Sequence, residues 1–392
     1  MKADWKERRV GEILQLEYGK PLADSDRKPD GLYPVYGANG EKDRSDKFYR
    51  ARPSIIVGRK GSAGEINLTE PKFWPLDVTY FVTFDESRYD LRFLYYLLTT
   101  LELTSLARGV KPGINRNDVY AKTAKVPPLP EQQRIVALLD EAFGGIATAK
   151  ANAEKNLQNA RALFESHLQA VFSQRGEGWT EKTFSEVCEI SSVLVDPRRR
   201  EYLDLPHVGG ANITSKTGEM IELKTAREEG LISGKFTFDE TMVLYSKIRP
   251  YLMKAARPNF RGLCSADIYP LSAKTGELDR DYLFHLLLGK GFTDYANAGS
   301  ARAGMPKVNR DHLFAYRVYL PSTSEQKQIA AKLDALHDET QRLEGIYRQK
   351  IAALEALKKS LLHQAFSGEM TFAEAKAASH DRYGEAYEGL AG

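Results

Sequence analysis

The chain has 392 residues, of which 42% are hydrophobic and 28% are charged, and its formal net charge at neutral pH is +3. This length suits two or three domains with folded cores, and the mildly basic balance permits nucleic-acid binding without requiring it. Two cysteines provide neither a disulfide framework nor a zinc-binding set. The sequence shows no apolar leader and no run of about 18 apolar residues, so it is interpreted as a cytoplasmic protein without a membrane span.

The elements predicted in residues 1–127 belong to a first mixed α/β domain. Runs of β-branched and aromatic residues bounded by turn residues predict buried strands at 54–58 and 78–84. An apolar stretch predicts a helix at 91–98, and a basic loop rich in glycine and proline follows at 108–116. A cluster of prolines then marks the end of this domain and the start of a helix.

A first long helical region is predicted at 128–175 and begins near residues 130–135. Its apolar stripe is rich in alanine, which allows close approach of a neighbouring helix. Gly144 and Gly145 interrupt it, and two adjacent glycines in a helix interior cost roughly 2 kcal/mol relative to alanine. We therefore expect a kink or a short break at this pair, which would divide the region into two helices.

A second mixed α/β domain is predicted at 176–320. A strand is expected to lead into a basic turn within 242–250, and a helix is expected at 282–288. A second basic loop follows at 302–310, and a further basic run occupies 198–200. The order of these elements resembles that of the first domain.

A second long helical region is predicted at 321–370, followed by a tail at 371–392 that is interpreted as a frayed helix or a disordered segment. Apolar residues of this region step by alternating fours and threes, which is the spacing of a coiled-coil seam. The residues predicted to form the helical interface are Ile135, Leu139, Leu157, Phe164, Leu168, Ile329, Leu333, Leu343, Leu354, Leu357 and Leu361.

The two halves of the chain are related by an internal repeat. A shift of 194 (325 − 131) lays the segment at Glu325 on the segment at Glu131 without a gap, and a shift of 174 (179 − 5) lays Trp179 on Trp5. The second domain has therefore gained 20 residues (194 − 174). We predict an α+β tandem duplication with pseudo-two-fold symmetry, in which two similar mixed α/β domains are joined by two long helical regions that form an antiparallel coiled coil.

Basic residues in the duplicated loops and at strand ends are the candidate ligand-binding residues. Glycine and proline let the backbone approach a ligand there, and cationic side chains can reach phosphate groups or guanine bases. The alternative is that these cations are solvated surface groups or pair with nearby acids, but their recurrence in both halves favours a shared role. The predicted DNA-binding residues are Arg59, Lys60, Arg108, Lys111, Arg116, Arg198, Arg199, Lys247, Arg249, Arg302, Lys307 and Arg310.

Catalytic signatures are missing from the sequence. It has no Gly-Lys-Ser or Gly-Lys-Thr and therefore no P-loop. The arrangement nearest to a nuclease is Asp204 with the acid and lysine of residues 222–224, and it has no counterpart in the first half. The seven histidines lack metal-ligand spacing. We predict neither catalytic residues nor a metal site in this chain.

The layout resembles the specificity (S) subunit of type I restriction-modification systems over nearly the whole chain. In that family the mixed domains are target-recognition domains, and the helical regions are spacers. The pair Gly144 and Gly145 departs from a continuous spacer helix. The segments that carry the resemblance are 36–40, 56–61, 129–135, 244–252, 324–329 and 361–368.

The resemblance implies a mechanism and a set of partners. Each target-recognition domain would read one half of a bipartite site in double-stranded DNA, mostly from the major groove, while the paired helices fix the gap between the halves. Two methyltransferase (M) subunits would supply S-adenosylmethionine binding and adenine N6 methylation. Motor-endonuclease (R) subunits would supply translocation and cleavage with ATP and Mg. The chain itself would bind no cofactor and would act as a non-catalytic subunit in host defence.

Three other functions would fit parts of this sequence. An orphan S-like DNA-binding protein or an antirestriction decoy would lack catalytic partners, and partner genes are not visible in this sequence. A nuclease or a fused modification enzyme would need an Asn/Asp-Pro-Pro-Tyr/Phe motif or a metal-binding carboxylate set, and the sequence has neither. A purely structural coiled-coil scaffold would leave the duplicated basic loops without a role.

Overall fold

The computed structural model describes residues 5–174, 176–191, 193–300 and 305–367. The predicted tail and Arg302 lie outside the described residues. The chain divides into two compact units: the first combines the residues up to Glu154 with those from Gln349 onward, and the second is Lys155–Arg348. Each unit therefore takes one half of each long helix, and the domain boundaries drawn from the sequence stay a prediction.

The first unit contains two small sheets and a strand pair. Their strand orders are β2-β8-β5-β6, β4-β3-β7 and β1-β9. The strands are β1 (Lys6–Arg9), β2 (Leu14–Tyr18), β3 (Tyr33–Gly37), β4 (Gly40–Ser45), β5 (Ile55–Gly58), β6 (Ile66–Leu68), β7 (Trp74–Pro75), β8 (Thr79–Phe84) and β9 (Thr123–Val126). The helices are α1 (Val10–Ile13), α2 (Leu91–Thr100), α3 (Arg116–Tyr120) and the first part of α4 (Leu129–Ser173).

The second unit repeats this plan with additions. Its strand orders are β11-β19-β16-β17, β12-β15-β18-β13-β14 and β10-β20. The strands are β10 (Thr180–Thr183), β11 (Cys188–Ile190), β12 (Leu194–Val195), β13 (Pro206–Val208), β14 (Lys224–Thr225), β15 (Lys235–Phe238), β16 (Met242–Ser246), β17 (Ala255–Ala256), β18 (Gly262–Cys264), β19 (Ile268–Ala273) and β20 (Arg317–Leu320). The helices are α5 (Phe184–Val187), α6 (Arg280–Leu288), α7 (Lys290–Ala298), α8 (Arg310–Phe314), the last part of α4 and the first part of α9 (Thr323–Ser367). The last part of α9 belongs to the first unit.

The two units share one frame. The orders β2-β8-β5-β6 and β11-β19-β16-β17 match strand for strand. The terminal pairs match as well, since Lys6 lies opposite Val126 in the first unit and Thr180 lies opposite Leu320 in the second. The predicted α+β duplication is therefore confirmed as a duplicated fold.

The interiors of the frames differ. The second sheet has three strands in the first unit and five in the second. Val57 pairs with Tyr80, and Tyr245 pairs with Tyr269, which is a shift of 188 (245 − 57). Of the residues gained by the second unit, 14 (188 − 174) therefore precede β16, in the segment that contributes four of the five strands of the second sheet.

One apolar cluster in each unit joins the shared sheet, the short helix after it and both long helices. Burial of this kind contributes on the order of 25 cal/mol for each Å² of apolar surface. The first cluster includes Val57, Phe93, Leu139 and Leu361. The second cluster includes Tyr245, Tyr282, Phe164 and Leu333.

Both long helices are continuous over 45 residues. The predicted break at Gly144 and Gly145 is therefore wrong. Ala142, Phe143 and Ile146 around the glycines all pack into the core of the first unit. Tertiary burial of these neighbours outweighs the weak helix propensity of two glycines, because packing rather than propensity supplies most helix stability in proteins.

In the first unit the long helices run antiparallel. Lys150 of α4 pairs with Glu355 of α9 at 2.7 Å. The Lys358 ammonium lies 5.1 Å from the centroid of the Phe143 ring. Residue numbers therefore fall along α9 as they rise along α4.

The second unit shows the same arrangement. Arg161 pairs with Glu344 at 2.9 Å, and the Phe164 ring contacts His337 with centroids 5.1 Å apart. Glu344 is buried and is also bonded by Arg348 at 2.6 Å, so a charged cluster interrupts the apolar seam here. The predicted antiparallel pairing is thus confirmed within each unit.

The predicted helical-interface residues are all removed from solvent to some degree. Leu157, Ile329, Leu343 and Leu357 are half-buried. The remaining seven are buried, namely Ile135, Leu139, Phe164, Leu168, Leu333, Leu354 and Leu361. Within the described ranges, no helix has the length and apolar character that crossing a membrane would take.

Candidate nucleic-acid interface

In the first unit the basic loop is bonded to the segment that follows β5. The Ile114 N–H donates to the Arg59 carbonyl at 3.0 Å, and the Gly61 N–H donates to the Pro112 carbonyl at 2.9 Å. The Tyr80 hydroxyl donates to the Ile114 carbonyl at 3.3 Å. Two basic segments that lie far apart in the sequence are thereby held side by side.

The second unit repeats these bonds one for one. The Val308 N–H donates to the Lys247 carbonyl at 2.9 Å, and the Arg249 N–H donates to the Pro306 carbonyl at 2.8 Å. The Tyr269 hydroxyl donates to the Val308 carbonyl at 3.1 Å. Burial raises the pKa of the Tyr269 phenol, so it stays a hydrogen-bond donor at neutral pH. We call this shared arrangement the loop frame: residues 59–61 bonded to residues 112–114 in the first unit, and residues 247–249 bonded to residues 306–308 in the second.

The basic loop of the first unit ends in a tight hairpin. The Arg108 N–H donates to the Gly113 carbonyl at 2.9 Å, and the Gly113 N–H donates back to the Arg108 carbonyl at 3.0 Å. Gly109 has a φ of +93°, which glycine adopts without strain. Val110 and Lys111 occupy the tip, where Val110 is 108% exposed. The hairpin therefore holds a cation and an apolar side chain out into solvent.

The predicted cations of the first unit surround this hairpin in the loop frame. Lys60, Arg108, Lys111 and Arg116 are exposed, and Arg59 is half-buried. None of the ion pairs formed by the described carboxylates of this unit involves any of these five cations. The loop frame of the first unit consequently carries uncompensated positive charge.

Tyr18 at the end of β2 is a residue that the sequence analysis missed. Its ring lies 5.4 Å from the Arg59 guanidinium and 5.4 Å from the Arg116 guanidinium. The ring also contacts that of Tyr80, with centroids 5.1 Å apart. No local signal marks Tyr18, because the residues that it contacts come from later strands and loops.

Lys247 in the second unit is an internal part of the loop frame. Its ammonium donates to the Ala266 carbonyl and lies 3.9 Å from the Asp267 carboxylate. Burial lowers the pKa of Lys247, and the neighbouring Lys307 and Arg310 lower it further. Lys307, which is exposed, also lies 3.9 Å from Asp267. Lys307 and Arg310 are therefore better placed than Lys247 to reach a ligand.

The remaining predicted cations lie in different surroundings. Arg249 is exposed in the loop frame with a φ of +50°. Arg198 donates to the Asp196 carboxylate at 2.8 and 2.9 Å, and hydrogen bonds from the Arg198 side chain and backbone lower the pKa of Asp196 to about 2. Arg199 is exposed beside it. No hydrogen bond or ion pair among the described residues joins Arg198 or Arg199 to the loop frame, so these two cations are not part of it.

A buried glutamine fastens each domain to a long helix. In the first unit the Gln132 amide donates to the carbonyls of Pro127 and Arg88 at 2.9 and 3.1 Å, and its oxygen accepts from the Asp90 N–H at 2.9 Å. The side chain of Asp90 in turn caps α2. Gln132 therefore fixes the start of α4 against the start of α2.

The second unit contains the same junction. The Gln326 amide donates to the carbonyls of Pro321 and Glu277, both at 3.0 Å, and accepts from the Asp279 N–H at 2.8 Å. The side chain of Asp279 caps α6. Both glutamines belong to the repeated helix-start motif, so the motif has a structural role.

A second junction differs between the units. Asp140 of α4 accepts from Arg92 at 2.8 Å and from the Tyr96 hydroxyl at 2.5 Å, both on α2. At the matching position of α9, Asp334 accepts from His285 of α6 at 2.8 Å and from Arg257 at 2.7 and 3.0 Å. The helix carboxylate is shared, but its partners are not.

No group of three or more His, Cys, Asp or Glu side chains that could hold a metal ion occurs among the residues that the structure describes. Asp204, the acid of the nuclease-like arrangement, instead pairs with Arg227 at 3.0 Å. That ion pair lowers the pKa of Asp204. Arg227 thus accounts for the position of this carboxylate.

The chain therefore carries the same frame twice, and in each α+β unit a basic loop is bonded to a basic strand end. The profile of the type I restriction modification DNA specificity domain matches residues 2–157 and 176–355. The chain therefore belongs to the family of type I restriction-modification DNA specificity subunits, as the resemblance predicted.

Two relatives match nearly the whole chain. The type I restriction enzyme EcoDI specificity subunit of Escherichia coli is 27% identical, with 94% of this chain and 89% of the relative covered. The MjaVIII specificity subunit of Methanocaldococcus jannaschii is 21% identical, with 94% of this chain and 93% of the relative covered.

Two solved structures share the fold. One is a chain from a study of complex assembly and conformational transition of the type I R-M system, with a TM-score of 0.73 at 18% identity over 93% of this chain and 98% of that chain. The other is the HsdS subunit from Thermoanaerobacter tengcongensis, with a TM-score of 0.57 at 19% identity over 93% of this chain and 97% of that chain.

Proposed function

We propose that this chain is a non-catalytic specificity subunit that reads a bipartite site in double-stranded DNA, one half with each unit. The observation that supports this proposal most directly is the duplicated loop frame. The bond from Ile114 to Arg59 recurs as the bond from Val308 to Lys247, so a basic loop lies against a basic strand end in both units. Equal frames with unequal second sheets suit two half-sites of different sequence.

The exposed cations fit DNA by charge and by hydrogen-bonding geometry. Lysine and arginine side chains neutralise phosphates and release counterions, which supplies affinity that falls as salt rises. Arginine or lysine can also donate two bonds to the O6 and N7 atoms of guanine, which supplies sequence preference. Arg108, Lys111 and Arg116 in the first unit, with Lys307 and Arg310 in the second, are exposed cations placed for these contacts.

The helices would join recognition to catalysis. Because Gln132 and Asp140 bond α4 to α2, a partner subunit that binds the long helices would also set the orientation of the first domain within its unit. Two methyltransferase (M) subunits would dock there and methylate adenine N6 with S-adenosylmethionine. Motor-endonuclease (R) subunits would join them for cleavage, with ATP and Mg bound by the partners. The paired helices would set the gap between the half-sites.

The test is to co-express the chain with the methyltransferase encoded beside its gene and to sequence the host DNA for N6-methyladenine. We expect methylation of a bipartite motif. Exchange of residues 10–122 for the matching segment of a relative should change one half of the motif and leave the other half unchanged. A stable complex that methylates nothing would favour the decoy, and the lack of any complex would favour the scaffold.

Lys111→Ala tests the placement of the DNA surface. We expect weaker binding of the assembled complex to its site by about tenfold at low salt, because one exposed phosphate or base contact is lost. The matched control is Lys125→Ala, which removes an exposed lysine from β9 of the same unit. Equal binding by the two variants in an electrophoretic mobility assay would place the DNA elsewhere.

A further inference from the structure

Three segments of the first unit meet at one aromatic ring. Tyr18 ends β2 and is 49% exposed. The guanidinium carbons of Arg59, which follows β5, and of Arg116, which opens α3, each lie 5.4 Å from the centroid of its ring. We call these three side chains the Tyr18 array. A cation at this distance from an aromatic face is attracted to the ring, and more strongly so when water is excluded.

Arg59 is the fixed member of the array. Its Nε and Nη2 atoms donate to the Asp77 carbonyl at 3.1 and 2.6 Å, and its own carbonyl accepts from the Ile114 N–H. Both the side chain and the backbone of Arg59 are therefore committed to the protein. It contributes charge beside the ring, but its bonds to the Asp77 carbonyl fix the direction of its guanidinium.

Arg116 is the member with free donors. The backbone of its short helix is fixed because the Asn115 side chain accepts from the Asn117 N–H at 2.9 Å. Its guanidinium forms no hydrogen bond or ion pair with another described residue, and the side chain is exposed. The ring of Tyr18 is the contact that orients it, so its five N–H groups remain available to a ligand.

The two positive charges of the Tyr18 array favour a ligand with hydrogen-bond acceptor atoms. Two guanidinium groups share one ring, and no described carboxylate pairs with either of them. The ring attracts both cations but does not neutralise them. A ligand that brings two acceptor atoms at the spacing of a guanidinium fork would satisfy Arg116 and lower the repulsion between the two arginines.

We propose that Tyr18 is a positioning residue that holds Arg116 for a two-bond contact with the DNA half-site of the first unit. This inference rests on the proposed function and names one contact within it. DNA offers two acceptor sets of the required shape, the phosphate oxygens and the O6 and N7 atoms of guanine. Tyr18 supplies the orientation, and Arg116 supplies the bonds.

The experiment compares three substitutions of Tyr18 in the complex with the methyltransferase. Tyr18→Phe keeps an aromatic face and should bind DNA as the parent does. Tyr18→Ala and Tyr18→Leu should each weaken binding on the order of tenfold, since two exposed cation–aromatic contacts are lost. Leucine keeps apolar bulk in the strand, so it tests the aromatic face even if the alanine variant folds poorly.

A double substitution then asks whether Tyr18 acts through Arg116. Tyr18→Leu should cost little further affinity in a complex that already carries Arg116→Ala, because the Arg116 side chain that the ring would orient is then absent. DNA with the first half-site scrambled is the matched control, and all variants should bind it alike. Retained preference for the second half-site shows that the complex is intact.

The two acceptor sets give different signatures. If Arg116 contacts guanine, the methylation motif of the Tyr18→Leu complex becomes degenerate at one G·C pair. Replacing that guanine with 7-deazaguanine then removes the difference in binding between Tyr18→Leu and the parent. If Arg116 contacts phosphate, the Tyr18→Leu complex keeps the parent's motif. The slope of its log affinity against log salt is then smaller in magnitude than the parent's by about 1.

Three results would overturn the inference: unchanged affinity in Tyr18→Leu, an equal loss in Tyr18→Phe, or additive losses with Arg116→Ala. These results differ from failure of the proposed function, in which the parent complex would methylate no bipartite motif at all.

Discussion

At the scale of single residues, the two buried glutamines show what a repeated motif is for. Gln132 and Gln326 are 1% and 0% exposed, and each uses its amide for three bonds to backbone atoms of its own domain. The sequence marked this position because it recurs at a shift of 194. It could not reveal the partners, since Arg88 and Asp90 lie more than 40 residues earlier in the chain.

Replacing Gln132 with leucine should destabilise the first unit by about 3 kcal/mol. The substitution keeps the volume but leaves the Asp90 N–H and two carbonyls without their bonds, and stranded buried polar groups cost roughly 1 to 3 kcal/mol each. Urea unfolding followed by fluorescence gives the change in free energy. Gln133→Leu, on the exposed face next to it, is the control and should change stability by less than about 0.5 kcal/mol.

We expect the stability of the second unit to depend on pH through His285. Burial lowers the pKa of His285 despite its bond to Asp334. Burial acts to raise the pKa of Asp334, but hydrogen bonds from His285 and Arg257, together with the charge of Arg257, hold it well below its usual range. Asp281 and His337 complete the set of titratable groups around this junction. A neutral histidine is therefore the form that suits the folded unit.

The direction in which stability changes with pH follows from the lowered pKa of His285. The unfolded chain binds a proton at His285 below pH of about 6.5, whereas the folded chain resists it, so stability is complete above that pH and falls as the pH drops below it. His285→Gln keeps a donor for Asp334 but cannot titrate. We expect the loss of stability between pH 7.5 and 5.5 to shrink by about 1 kcal/mol, measured by urea unfolding at both pH values. An unchanged loss would mean that other groups, such as His207 or His337, carry it.

At the scale of elements, the sequence predicted most of the frame. The strands expected at 54–58 and 78–84 appear as β5 and β8, and the helices expected at 91–98 and 282–288 appear as α2 and α6. Strong local patterns of apolar residues set these elements. The break at Gly144 and Gly145 was wrong because helix propensity is a local quantity, while the packing of Phe143 and Ile146 into the core is not.

Gly144 and Gly145 offer a test of what stabilises α4. Gly144 and Gly145 are exposed, and a Cβ added at either position would meet nothing within 4 Å. Alanine should therefore stabilise the first unit by about 1 kcal/mol at each site, through better helix propensity and a less flexible unfolded chain. Thermal unfolding of the single and double variants measures this gain.

Gly299→Ala is the contrasting control for that gain. A Cβ at Gly299 would lie 2.1 Å from Nε2 of His312. The His312 ring cannot move aside freely, because it stacks on Tyr295 with centroids 4.1 Å apart. This variant should lower the stability of the second unit. Stabilisation there, or destabilisation by the alanines in α4, would show that space around the backbone does not decide the outcome.

At the scale of the whole molecule, the sequence predicted the duplication but not how the chain is shared between its halves. Periodicity revealed two long helices and a match at a constant shift. It did not reveal that the second half of α9 belongs with the first domain, since that depends on contacts such as Lys150 with Glu355. The loop frame was half predicted: the basic segments were found, but their pairing and the Tyr18 array needed the fold.

The division of the helices has a consequence for how the protein is made. The second unit, Lys155–Arg348, is one continuous stretch of chain, whereas the core of the first unit includes Leu361 and Ala365. On a ribosome the first unit starts earlier but must wait for the last residues of α9, so the second unit is complete before it. Phe93, whose ring contacts Phe366 of α9, and Leu139 of α4, which shares an apolar cluster with Leu361, would meanwhile lack these neighbours. Synthesis order and folding order are therefore reversed for the two halves.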